Sequence, residues 1–133
     1  MTTAHFRKYY ACLAALTALA VLASFVVLWV APSNFHTILP LTALYFAVVT
    51  GLEHWFIINS AQKDPRTFIK NFLGITVGVL FLHLVVMAVY LFTHTAVARI
   101  FIVGFCVGYI AYLVFETVAL VLFVRNRRKE AEQ

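Results

Sequence analysis

The residues able to do chemistry are few, and they stand where charge is costly. Glu53, His54, His83 and Glu116 each lie inside a long apolar stretch. An ionisable side chain within a membrane span is expensive unless it is paired, so each is a pairing or functional residue by default. Three uses fit this set. As a staple, Glu53 and Glu116 are neutral, or paired with His54 or with Arg66 and Lys70 reaching inward along their alkyl stems. As an interaction site, the carboxyls face a polar helix of a partner. As a conduit, two carboxyls and a histidine pass protons or cations.

His83 also has a quieter role open to it. Thr76, His83 and Tyr90 recur every seven residues and share one helix face, and Tyr109, Tyr112 and Glu116, at i, i+3 and i+7, share another. A neutral imidazole bonded to a phenol or carboxyl across a bundle would fix helix register. No His or Cys stands three or four residues from His83 to complete a metal site, so no metal and no cofactor is expected. H-E-x-x-H, a phosphate-cradling glycine loop and a Ser/His/Asp set at one depth are all missing, and the chain reads as a non-enzyme.

The elements that must position these groups follow from composition. Of 133 residues, 64% are hydrophobic and 11% charged, against about 45–50% and about 25% in soluble domains. Mean hydropathy is +0.97. That balance excludes a soluble globular enzyme, a disordered chain and a nucleic-acid-binding domain. Four segments, 9–31, 39–60, 69–92 and 99–124, each hold the roughly 20 apolar residues needed to cross about 30 Å of hydrocarbon. Lipid offers the backbone no hydrogen-bond partner, so spans are helices or closed barrels. The run from Ala14 to Val30 shows no strand-like alternation. The expected fold is all-α, a four-helix transmembrane bundle forming a single membrane domain in the lipid bilayer.

Pro32-Ser33-Asn34, Pro40, Asp64-Pro65 and Thr93-His94-Thr95 punctuate the segments, with Asp64 or Thr67 available as a cap. Counted inward at about 1.5 Å per residue, Glu53 and Glu116 share a depth of roughly 10–12 Å, and His83 lies near the midplane.

Basic residues set the expected orientation. Arg7, Lys8, Lys63, Arg66, Lys70, Arg125, Arg127, Arg128 and Lys129 fall on one side and Arg99 alone on the other. The positive-inside rule then places both termini in the cytoplasm (N-in, C-in), with 125–133 as a basic tail. The net charge of +5 needs no nucleic-acid partner, because this bias and anionic headgroups account for it. The first apolar run, about 23 residues, is longer than a signal-peptide core of roughly 7–15 and reads as a span. Cys12 and Cys106 differ too much in depth for a disulfide.

Two G-x-x-x-G motifs allow close helix approach in lipid: Gly74 with Gly78, and Gly104 with Gly108. They lie at opposite depths, so each must receive a different helix, from this bundle or from another subunit of a homo-oligomer or client.

The run Thr50-Gly51-Leu52-Glu53-His54, the run from Arg66 to Thr76 and the stretch from Tyr109 to Thr117 resemble ATP synthase protein I, in the short four-helix form of Bacteroidetes-like bacteria. The resemblance implies a non-enzymatic accessory factor. Its client would be the c subunit of the F-type ATP synthase, helped in membrane insertion or ring assembly, and a magnesium-supply role is also attached to the family. Glu116 matches the acidic position of helix four. The chain departs from the family at Val79, where a lysine is usual in helix three. The resulting expectation is an assembly factor in which Gly104/Gly108 or Gly74/Gly78 accepts a client helix and Glu53 or Glu116 offers a polar contact. The alternative is an oligomeric proton or magnesium conduit built on Glu53, His83 and Glu116.

Overall fold

The computed structural model describes residues 2–34, 36–61 and 65–132. They form four α-helices: α1 (Thr2–Val30), α2 (Ile38–Ala61), α3 (Pro65–Thr93) and α4 (Ala98–Ala131), with 3-10 turns at Pro32–Asn34 and Thr95–Val97. Among the described residues there is no strand. All four helices are long and apolar enough to cross a bilayer, and the protein is an integral membrane protein of the expected class. The start of α1, the end of α2, the start of α3 and the end of α4 meet at one end of the bundle.

The helices outrun the apolar segments. α1 begins seven residues before Tyr9, and α4 continues through the basic stretch to Ala131. Hydropathy marks only the length in contact with hydrocarbon, whereas Arg, Lys, Glu and Ala are good helix formers in water. The expected tail is therefore a helical extension from 125 to 131, in which Arg128 Nε donates to Glu132 at 3.2 Å. This end is also tied to α2: Arg127 donates to the Ala61 carbonyl at 2.7 Å, satisfying an orphan acceptor at a helix C-terminus. Asn71 Nδ2 donates to Ser60 Oγ at 3.1 Å, joining α2 to α3.

Packing is centred on α2, which touches the other three helices, while α1 and α4 meet over a short stretch only. Its buried residues include Thr42, Phe46, Thr50, His54 and Ile57, the i, i+4, i+8 pattern of one face joined by residues beside it. Phe46 is the centre of an aromatic cluster with Phe101, Phe105 and Tyr112. Most Leu and Val side chains of α1, α3 and α4 face outward, as a bilayer requires.

Gly104 and Gly108 receive α2 of the same chain. A Cβ on Gly108 would stand 2.9 Å from the buried Phe46 ring, so only glycine lets α4 lie this close there, whereas one on Gly104 would meet the movable end of the Leu39 side chain. Gly74 and Gly78 meet nothing within 4 Å and lie on an outward face of α3.

Candidate functional site

The intramembrane acids and histidines converge, and they do so through residues of α1 as well. Glu116 on α4 is 5% exposed and His54 on α2 is fully buried. His54 Nδ1–H donates to Glu116 Oε1 at 2.8 Å. The other carboxylate oxygen accepts from Tyr9 OH at 2.5 Å. With Nδ1 committed, His54 Nε2 is left to accept from His5 Nε2–H at 3.2 Å. Tyr9 stacks on the His54 ring at a centroid distance of 3.5 Å. A buried carboxyl is thus held by donors from two other helices, the arrangement that makes an intramembrane acid tolerable.

His5 and Tyr9 escaped the sequence reading because they border the apolar segment rather than stand inside it. Their signal was present: His5, Tyr9, Leu13 and Thr17 repeat every four residues, and the last three are buried. This is the face α1 turns to the bundle. Thr17 Oγ1 lies 2.9 Å from Tyr112 OH, and Tyr112 OH donates to the Ala43 carbonyl at 3.1 Å.

Of the expected partners for the acids, His54 alone is found. Arg66 and Lys70 are exposed, and neither makes an ion pair among the described residues. Arg125, Arg127 and Arg128 are exposed on the α4 extension, beyond the acids. Lys63 and Asp64 lie outside the described residues.

On its other side Glu116 borders a cavity of about 40 Å³ between α2, α3 and α4. Glu53, Thr76, His83 and Tyr109 also line it, so the two glutamates do share a site. The cavity has room for roughly two or three water molecules. Thr76 Oγ1 is buried there, on the side of the cavity that Glu53 also lines. Val79 lines the same cavity, so at the position where the resemblance expects a lysine this chain brings no cation to the glutamates.

His83 is buried and joined to a tyrosine, as its face predicted, but the tyrosine is Tyr45 of α2, whose OH lies 2.8 Å from Nδ1. Tyr109 presents its ring at right angles to the imidazole, centroids 5.4 Å apart. Beyond His83, towards the end away from the termini, Phe46, Phe101 and Phe105 fill the interior.

Among the described residues no three His, Cys, Asp or Glu side chains are grouped to hold a metal ion. Cys12 and Cys106 are free and face outward. The site is therefore a hydrogen-bonded chain from His5 through His54 and Glu116 to Tyr9, next to a small cavity that Glu53 and Glu116 both line. No protein-family model, curated protein or solved structure matches the chain significantly.

Proposed function

We propose that the protein is a non-enzymatic accessory factor of a bacterial inner membrane, with both termini cytoplasmic, that holds a client membrane protein during assembly. The client class is the c subunit of the F-type ATP synthase, the partner implied by the resemblance of Thr50 to His54, Arg66 to Thr76 and Tyr109 to Thr117.

The observation that carries the reading is the contrast between the two sides of α3. Its inward face contributes Thr76 and His83 to the small cavity between α2, α3 and α4. Its outward face presents Gly74 and Gly78 with open space above both, a surface on which a second transmembrane helix can lie close. Gly104 and Gly108 already hold α2, so the docking face falls on α3. Glu116 is engaged by His54 and Tyr9, and its part is to hold the scaffold rather than to contact the client.

The test is in-membrane crosslinking from α3, followed by mild-detergent capture and mass spectrometry. Crosslinks to c subunit that fall at least about tenfold in a Gly74→Leu/Gly78→Leu variant, with insertion retained, support the reading. Unchanged capture by that variant removes the docking face, and recovery of this chain alone as a homo-oligomer removes the client.

A second reading, a proton or cation conduit, draws on one observation: the cavity that joins Glu53, Thr76, His83 and Glu116. The aromatic filling beyond His83 weighs against a through-path in one copy. Flux in proteoliposomes that is lost in Glu116→Gln would favour it.

A further inference from the structure

A second and larger opening lies in the half of the bundle away from the termini. There α1 and α4 splay apart over α2 and leave a groove of about 600 Å³. Ala20 and Ala23 of α1 and Val107 and Ala111 of α4 form its walls, Ala43 of α2 its floor, and Arg99 stands at its mouth. From Arg99 to Tyr112 it extends roughly 20 Å along α4, which compares with about 15 Å for the hydrocarbon of one leaflet.

The polar hydroxyls along the groove are already satisfied. Ser24 donates to the Ala20 carbonyl at 2.9 Å, Thr42 to Ile38 at 2.7 Å and Tyr112 to Ala43 at 3.1 Å. The groove therefore offers apolar surface, with one exception. The Arg99 guanidinium, which carries five donors, has no hydrogen-bond or ion-pair partner among the described residues. It also stands in the first turn of α4, where the helix dipole disfavours a cation. The described acidic residues, Glu53, Glu116, Glu130 and Glu132, belong to the other half. A second copy of this chain could fill the groove with a helix but could bring no carboxylate to Arg99 at that depth. The occupant that matches both features has an anionic head at the interface and a hydrocarbon body.

We propose that this groove binds one anionic phospholipid, its phosphate held by Arg99 and an acyl chain laid between α1 and α4. Guanidinium and phosphate make parallel charge-assisted hydrogen bonds, while the small side chains of the walls leave the space the chain occupies. The proposal stands apart from the identity of any client, since it uses a different face from Gly74 and Gly78.

The test is native mass spectrometry of the full chain in detergent, titrated with phosphatidylglycerol and with phosphatidylcholine of equal chain length. Retention of one phosphatidylglycerol in preference to phosphatidylcholine is expected. Arg99→Gln should weaken that binding about tenfold, the scale of one lost charge-assisted contact, and Arg125→Gln should leave it unchanged. Ala111→Phe, which fills the groove from an exposed position and displaces no core atom, should abolish retention. Equal retention of the two lipids, or unchanged binding by Arg99→Gln, would overturn the headgroup assignment. Unchanged binding by Ala111→Phe would overturn the acyl-chain assignment. Displacement by excess inorganic phosphate would reduce the site to a surface anion contact, and a lipid-free dimer mass would assign the groove to a second copy.

Discussion

At the scale of single residues, the cost of burying charge explains both what was legible and what was not. Glu53, His54, His83 and Glu116 stand out in the sequence because the other charged residues of their segments, Lys70 and Arg99, sit at segment ends. Their partners Tyr9 and Tyr45 do not, because tyrosine is ordinary at membrane interfaces and in aromatic cores. Glu116 supports two neighbours at once, so its loss should be felt by both. Replacing Glu116 by Leu strands the His54 N–H and the Tyr9 hydroxyl, and should destabilise the fold by about 3 kcal/mol in a steric-trap or detergent unfolding assay. Tyr9→Phe removes one hydrogen bond and should cost about 1 kcal/mol. In the double variant the two effects should fall short of their sum, since both delete the same contact; strict additivity would mean Tyr9 and Glu116 do not act on each other. Tyr45→Phe, which loses a single bond to His83, should cost only about 0.6 kcal/mol.

At the scale of helices, four glycines in two identical motifs divide by what lies opposite them. Phe46 is 1% exposed and cannot retreat, whereas the Leu39 side chain is half-buried and its end can swing away. Gly108→Ala should therefore destabilise by about 2 kcal/mol and Gly104→Ala by less than about 1 kcal/mol. Gly74→Ala and Gly78→Ala should be neutral or slightly stabilising, because alanine favours the helix and meets no neighbour. The same unfolding assay ranks all four. A large loss at Gly74 or Gly78 in the isolated protein would mean that this outward face of α3 is packed against another segment. Sequence spacing identified both motifs as surfaces of close approach. The division between them depends on which way α3 and α4 are rotated, and hydropathy carries little of that information in helices that are apolar all round.

At the scale of the whole molecule, the described acidic groups lie in the half nearer the termini and at mid-depth, and Arg99 is the one described Lys or Arg of the other half, where His36 and His94 stand in the turns. The placement of the basic residues leads to a topology test. In intact cells a membrane-impermeant maleimide should label cysteines introduced at Ser33 and Thr95, and should not label one at Ala131 until the membrane is opened. Native Cys12 and Cys106 face outward along the helices and should stay unlabelled throughout. Labelling of Ala131→Cys in intact cells would invert the proposed orientation.

The amino-acid sequence by itself determined the class of protein, the number of spans, the shared depth of Glu53 and Glu116 and the absence of an enzyme motif. These follow from bulk quantities, namely hydrocarbon thickness, rise per residue and the price of a charge in lipid. Only the tertiary structure decided that Glu116 binds His54 and Tyr9, that His83 binds Tyr45, that α2 fills the Gly104/Gly108 surface, and that α1 and α4 part to leave a groove ending at Arg99. The physical reason is rotational. In a membrane every helix is apolar on all sides, so the outward face carries no polar signature. The azimuth of each helix is set instead by a few short-range contacts, chiefly hydrogen bonds between residues 38 to 107 positions apart, and by where a glycine admits an aromatic ring.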